Sequence, residues 1–377
     1  MRIAEEPSIG YSREMETTSS SMHIWKSKYR YGYGGPDQEQ AICDTWKRVA
    51  GAVAAIERQP AEWQRAFFDI LSDYRFLPGG RILAGAGTAE HVTLFNCFVM
   101  GPIRDSLEGI LGSLKEAAIT MQQGGGIGCD FSGIRPAGLP ARRSGTVASG
   151  PVSFMRLWDT LCDTLMGTSA RRGAMMATLR CDHPDIEAFI DAKRSKHALS
   201  NFNLSVLITD EFMTAVASDA IWDLRFSAPK MIDKDNRPKR RSGNDASGRR
   251  IFHRQVSAKT LWQHIVAAAH STGEPGVLFI DTVNRENNLY YCEEISATNP
   301  CGEIPLPSYG ACNLGSLNLA AFVRRPFSNS AKLDTVALEE TAHVAVRFLD
   351  DVIDISRFPL EAQAQQATGT RRIGLGI

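Results

Sequence analysis

Asn299-Pro300-Cys301-Gly302-Glu303, with Cys312 eleven residues beyond Cys301, is the stretch that decides how this chain is read. One thiol lies two residues from an amide and two from a carboxylate. In an extended segment, residues at i and i±2 project to the same side. Asn299, Cys301 and Glu303 are therefore expected to face one substrate together. An amide binds hydroxyls, a carboxylate moves a proton, and a thiol adds sulfur chemistry.

The rest of the composition sets bounds. A chain of 377 residues exceeds one average domain but can form a single large one. Formal net charge is zero, so no global field draws it to nucleic acid or an anionic membrane. No apolar run reaches the length of a membrane span. The start is polar, with a Thr17-Thr18-Ser19-Ser20-Ser21 cluster, and lacks the apolar core of a signal peptide. Residues 1–22 are expected to form a disordered tail, and the location to be cytoplasmic. The eight cysteines (Cys43, Cys97, Cys129, Cys162, Cys181, Cys292, Cys301 and Cys312) are scattered and contain no Cys-x-x-Cys. That spacing argues against a disulfide scaffold and a zinc ribbon, and plain buried thiols are the ordinary alternative for each.

Helical and strand patterns alternate, which predicts an α/β fold. Residues 23–90 read as an N-terminal helical region. Gln38 to Arg58 carries Ile42, Trp46, Val49 and Val53 at helical spacing, and a second helix covers Ala61 to Leu71. Ser106 to Gln122 and Val152 to Leu165 read as helices, the latter with Phe154, Leu157, Trp158 and Leu161 in one stripe. Between them, Gln123 to Gly128 is too Gly-rich for a helix and suits close backbone approach. Pro184 to Lys193 is expected to be a short helix started by Asp182. Asn203 to Thr209 and Gly276 to Asp281 read as strands, the second buried. Thr260 to His270 and Leu338 to Ile355 read as helices. The basic stretch Met231 to Arg250 lacks interleaved aromatics and reads as a solvated loop, so no nucleic-acid partner is expected. Cys181-Asp182-His183-Pro184-Asp185 has the wrong ligand spacing for a zinc helix, and no metal site is expected.

Three motifs in order carry a resemblance. Asn299 to Glu303, the Gly-Ala-Cys-Asn-Leu-Gly-Ser-Leu-Asn-Leu run from Gly310 to Leu319, and Leu-Phe-Asn-Cys from Leu94 to Cys97 resemble ribonucleotide reductase large subunits. The likeness runs from about Ile24 to Ile377. The Asn-Pro-Cys-Gly-Glu form and Leu-Pro-Gly-Gly-Arg from Leu77 to Arg81 resemble the class II, adenosylcobalamin-dependent branch. The resemblance implies that residues 91–377 are the first half of a ten-stranded α/β barrel, with a catalytic finger loop at about 296–316. It implies a thiyl radical on Cys301, proton transfer by Glu303, hydroxyl binding by Asn299, and Cys97 with Cys312 as the redox pair. Asn96, Gly125, Gly126, Pro300 and Gly302 match positions lining the substrate.

The resemblance also implies a deoxynucleotide or ATP effector site. Asp105, Ser106 and Leu107 match its acidic segment, Arg135 and Arg142 its phosphate contacts, and Arg171 and Arg172 the loop from Gly167 to Met176 that relays effector identity. The plain alternatives are a helix start at Asp105-Ser106 and solvated surface arginines. Further expectations are a ribonucleotide substrate, a thioredoxin-like reductant, a homodimer formed near Val152 to Leu165, and a polypeptide supplying the C-terminal half. Too few residues precede Ile24 for the family's N-terminal ATP cone. Alternatives are an inactive fragment, a nucleotide-binding component of a split reductase, and a class I enzyme fed by a radical subunit.

Overall fold

The computed structural model describes residues 18–32, 35, 38–90, 92–139, 147–166, 174–194, 198–228 and 250–377. The expected tail lies outside the described residues up to residue 17, but its last residues are not a tail. Thr18 accepts a hydrogen bond from Ser21 N (3.1 Å) and starts helix α1, Ser19–Lys28. The polar cluster is thus a helix cap. Trp25, buried, anchors that helix by donating Nε1–H to Thr45 Oγ1 (2.9 Å).

Helices α2 (Ile42–Ala54) and α3 (Pro60–Ser72) follow, the second with proline in its first turn, where no N–H is needed. Trp46, Val49 and Val53 line one face of α2 and are buried against Phe67, Leu71 and Phe348. Then come β1 (Phe76–Pro78), α4 (Gly80–Gly85), β2 (Cys97–Val99), α5 (Leu107–Gln122), β3 (Gly126–Asp130), α6 (Pro151–Met166), β4 (Met175–Arg180), α7 (Ile186–Ile190), β5 (Phe202–Ile208) and α8 (Asp210–Ala217). A hairpin of β6 (Ile221–Ala228) and β7 (Arg250–Ser257) leads to α9 (Ala258–Thr272), β8 (Gly276–Phe279) and α10 (Ile280–Arg285). The chain continues through β9 (Ile295–Thr298), β10 (Pro305–Pro307), β11 (Ala311–Leu317), the short pair β12 (Val323–Arg324) and β13 (Lys332–Leu333), α11 (Thr335–Ile355), α12 (Glu361–Thr370) and β14 (Ile373–Gly376).

Eight strands form one curled half-barrel sheet in the order β1-β11-β2-β3-β4-β5-β8, with β14 also on β11. β2 through β8 along this path are parallel, each joined by a helical crossover. β4 and β5 are buried nearly throughout, as parallel strands covered on both faces must be. On β3, Ile127 and Cys129 enter the core shared with Trp158 of α6 and Phe202 of β5. Gly126 and Gly128 therefore face the other way.

Three further expectations change. Asp182 does not start α7: its N-cap position is Asp185, and the Asp182 carboxylate instead takes Arg180 Nε (2.8 Å). Gly276 to Asp281 is not one buried strand. It ends at Phe279, which is 42% exposed, because among the described residues β8 pairs on one side only. In α6, Met155 and Trp158 turn inward whereas Leu157 is 41% exposed, so its apolar residues make two faces rather than one.

The helical region is clamped to the barrel through charge. Arg347 of α11 binds Glu57 through Nε and through Nη2 (2.7 Å), and its guanidinium stacks 4.2 Å from the Trp63 ring centroid. Asp351 lies buried beside Glu57, and burial, reinforced by Glu57, pushes its carboxyl up to about 7. The folded value lies above the unfolded one, so this contribution is full below about pH 4 and is lost as pH rises through 7. Asp351→Asn is expected to gain about 1 kcal/mol over the parent at pH 8, after allowance for solvent screening, and to lose that gain near pH 4. Urea titrations at the two pH values check it.

Candidate active site

β9 and β10 form a hairpin, with Pro305 opposite Thr298 and Leu306 opposite Ala297. The residues between them are not extended. Gly302 N–H donates to Asn299 C=O (3.1 Å), closing a tight turn, and Gly302 has φ +89. The order Asn-Pro-Cys-Gly matches a type I turn, where asparagine suits the first position and proline presets the second. The expectation that Asn299, Cys301 and Glu303 share a side by strand alternation therefore fails. Asn299 is wholly buried, while Cys301 and Glu303 are exposed. Asn299 Oδ1 accepts from Ile304 N (2.9 Å), so its side chain also holds the turn shut.

Glycines seat this hairpin on the sheet. A Cβ on Gly128 would lie 1.8 Å from Thr298 O, and one on Gly126 would lie 2.8 Å from Pro300 Cγ. From the next strand but one, Asn203 Nδ2 donates to Pro300 C=O (2.7 Å). Sequence reasoning placed Asn203 in a strand without a role; its amide, one of two polar side chains between Phe202 and Ile208, was its one signal. Asn203→Ala is expected to cost about 1 kcal/mol, the net worth of one hydrogen bond, and to loosen the Cys301 turn. Thermal melts combined with the rate of Cys301 alkylation measure both effects.

Cys97 of β2 and Cys312 of β11 are direct partners in the antiparallel ladder. Directly opposed residues lie about 4.5–5.5 Å apart at Cα, within the span a disulfide bridges. Neither is in a disulfide, and both are buried in the same wall. Asn299 Nδ2 donates to Cys97 Sγ (3.3 Å), tying the finger turn to this pair. Burial, reinforced by Cys97, pushes the Cys312 thiol up to about 12, with Arg372 opposing and Glu303 adding to the rise. Burial and Glu303 likewise raise Cys301. Both are held as neutral thiols at pH 7, suited to giving up hydrogen rather than to acting as thiolate nucleophiles.

Asn96 is half-buried, and its Oδ1 is buried without a hydrogen-bond partner among the described residues, an acceptor poised for a ligand. Gly126 faces Pro300 of the finger turn, whereas a Cβ on Gly125 would meet Phe98 and Thr120, so the missing side chain there allows α5 and β2 to pack closely. Arg372, paired with Glu293, is a neighbour of Cys312 that sequence reasoning did not single out.

At a separate place, Arg135 Nε reaches both carboxylate oxygens of Asp105 (3.0 and 2.9 Å), and Arg135 N donates to Oδ1 (3.2 Å). Ser106 caps α5 by accepting from Gly109 N (3.0 Å), and Leu107 is 61% exposed. Asp105 and Arg135 are thus brought together across 30 residues of sequence. Arg142, Arg171, Arg172 and most of the basic stretch lie outside the described residues. His183 is buried: Nε2 bonds Ile134 C=O (2.9 Å) and Nδ1 accepts from Asp185 N (3.0 Å), so both ring nitrogens are occupied within the chain.

A curled half-barrel with a cysteine-bearing finger hairpin against its glycine-lined strands defines an α/β-barrel protein built around buried thiols. The chain belongs to the ribonucleotide reductase large-subunit family: residues 95–377 match "Ribonucleotide reductase, barrel domain" and residues 15–91 match "Ribonucleotide reductase, all-alpha domain". It is similar to a vitamin B12-dependent ribonucleoside-diphosphate reductase of Mycobacterium tuberculosis, 38% identical over 98% of this chain and 50% of the relative. A protein of the same description from Thermoplasma acidophilum is 36% identical over 92% of this chain and 42% of its own length. A ribonucleoside-diphosphate reductase subunit alpha of Chlamydia pneumoniae is 27% identical over 88% of the chain and 33% of its own length. The chain spans about half or less of the length of these relatives.

Proposed function

We propose that this chain carries the radical and redox part of a class II ribonucleotide reductase acting on ribonucleoside diphosphates. The observation that carries this reading is the Cys97–Cys312 ladder pair with Asn299 bonded to Cys97 beneath the Cys301 turn. Cys301, as a thiyl radical, takes the 3′-hydrogen of the ribose. Glu303 accepts the 3′-hydroxyl proton, and Asn299 and Asn96 hold hydroxyls. The 2′-hydroxyl leaves as water. Cys97 and Cys312 give up two protons and two electrons in all, one proton leaving with the 2′-hydroxyl as water and the other going with the two electrons to the sugar, and close to a disulfide, and the 3′-hydrogen returns from Cys301. Pro300, Gly302 and Gly126 shape the floor.

The thiol chemistry fits adenosylcobalamin, because Cys301 stands exposed at the turn with its thiol protonated. When bound, that cofactor supplies a carbon-centred radical able to take hydrogen from a thiol. A thioredoxin-like dithiol resets the disulfide. A deoxynucleotide or ATP binds at Asp105, Ser106, Leu107 and Arg135, with Arg142, Arg171 and Arg172 as its further contacts. Leu107, Leu111 and Leu157, all more than 40% exposed on α5 and α6, support a homodimer face next to that site. Among the described residues no helix is long and apolar enough to cross a membrane, and a cytoplasmic enzyme accords with that.

The test is ribonucleotide reduction with adenosylcobalamin, a dithiol and an effector, by this chain in the context of the full length of its relatives. Deoxynucleotide formation establishes the proposal. Inactivity, with effector binding retained, favours a nucleotide-binding component instead.

A further inference from the structure

The two sulfurs of the Cys97–Cys312 pair have unlike surroundings. Cys97 receives a hydrogen bond from a neutral amide, Asn299 Nδ2 (3.3 Å). Cys312 has a cation beside it. β14 pairs in parallel with β11, Ile373 opposite Asn313, so Arg372 stands one position before that pairing, next to Cys312. Asn313 turns to α11, where its Nδ2 donates to Leu349 C=O (2.7 Å). The opposite face of β14 looks onto the thiol, for a Cβ on Gly374 would lie 3.4 Å from Cys312 Sγ. Burial, Cys97 and Glu303 hold the Cys312 proton on, and Arg372 opposes them. The Arg372 side chain is 18% exposed and its partner Glu293 6%. Glu293 takes Arg372 Nη2, Asn287 Nδ2 (2.8 Å) and Gln366 Nε2 (3.2 Å), so its carboxylate is well matched and holds the guanidinium in place. Arg372 Nη1 stays buried without a hydrogen-bond partner among the described residues. The neighbouring Arg371 is spent instead on Asp350 and Asp354.

We infer that Arg372 is a positioning residue that makes Cys312 the leaving sulfur when the Cys97–Cys312 disulfide is reduced, directing an incoming dithiol to Cys97. The inference rests on the reading of these two thiols as the redox pair. A thiolate of the dithiol bonds to Cys97 Sγ, the S–S bond breaks, and its electron pair leaves on Cys312 Sγ. The dithiol's second thiol then displaces Cys97. The dithiol is oxidised to a disulfide, and its two protons end on the two cysteines. The sulfur that departs more readily is the one whose thiolate is better stabilised. A guanidinium, charged at any working pH, stabilises it where a neutral amide does so less. Cys312 is also the more deeply buried, 3% exposed against 7% for Cys97, so the attacker reaches Cys97 first. In the reduced pair both thiols stay protonated at pH 7, and Arg372 acts only while charge develops on Cys312.

The experiment oxidises the purified full chain with diamide and follows the Cys97–Cys312 disulfide by mass spectrometry as dithiothreitol reduces it. Arg372→Gln is expected to slow reduction roughly tenfold, and Arg372→Lys to recover most of the rate. Glu293→Gln keeps the cation and removes its counter-charge, so reduction should run about threefold faster. With glutathione, a monothiol, the mixed disulfide should be trapped on Cys97 in the parent and on both cysteines in Arg372→Gln. Equal rates in the parent and Arg372→Gln overturn the inference, as does glutathione trapped on Cys312 in the parent. Slowing by Glu293→Gln as well as by Arg372→Gln also overturns it, since a pair that only holds the fold together loses the same thing from either side. If the parent forms no Cys97–Cys312 disulfide at all, the redox-pair reading falls and takes this inference with it. If the disulfide forms and only the charge dependence is missing, the redox pair stands and the role of Arg372 alone falls.

Discussion

Cys301→Ser is expected to remove ribonucleotide reduction, by roughly 10⁴-fold or more, equivalent to about 5.5 kcal/mol of barrier. An O–H bond is too strong to serve where an S–H bond gives up its hydrogen and takes it back. The structure says the loss is chemical rather than structural. The Cys301 side chain is exposed at the turn. The turn is held by the Gly302–Asn299 bond (3.1 Å) and by Asn299 Oδ1 on Ile304 N (2.9 Å), neither of which uses the thiol. Melting temperature and effector affinity should therefore match the parent. The check is deoxynucleotide formation in that full-length context, with calorimetry alongside, and retained reduction would sink the thiyl assignment.

Gly128→Ala should produce the largest structural effect. The new methyl would sit 1.8 Å from Thr298 O and 2.9 Å from Thr298 C. These are backbone atoms and cannot rotate aside. Either the β9–β10 hairpin or β3 has to move by over an ångström to reach even a tight contact. Overpacking of this kind costs about 3 kcal/mol or more. Displacing the hairpin would also break the Asn299–Cys97 bond (3.3 Å) and uncover the buried Cys97. Urea titration should show the loss of stability, and alkylation followed by mass spectrometry should show Cys97 reacting faster. Gly112→Ala is the control: nothing lies within 4 Å of its Cβ position in α5, so helix propensity should stabilise that variant slightly. Equal behaviour of the two variants would refute the seating role of Gly128.

Much of the fold is written in local pattern. The spacing of Trp46, Val49 and Val53 marks α2, and the weak alternation from Asn203 to Thr209 marks the strand that became β5. The finger motif was legible because asparagine, thiol and carboxylate crowd five residues. Its conformation was misread for a local reason. Proline and glycine beside cysteine encode a turn, and the extended reading ignored them. The cap at Thr18 and the true start of α7 at Asp185 were missed likewise, because Ser, Thr and Asp clusters carry several competing capping choices.

Long-range pairing is a different matter. By itself, the sequence determined the α/β class, the helices of the N-terminal region, the order of the motifs and the identity of the thiols, because period and side-chain chemistry are properties of short segments. Only the tertiary structure decided that Cys97 lies opposite Cys312 across 215 residues, and that Asp105 meets Arg135. It also decided that Asn203 holds the Pro300 carbonyl and that Gly128 makes room for Thr298. Strand register and the curl of the sheet set those contacts, and neither leaves a mark in any one stretch of sequence.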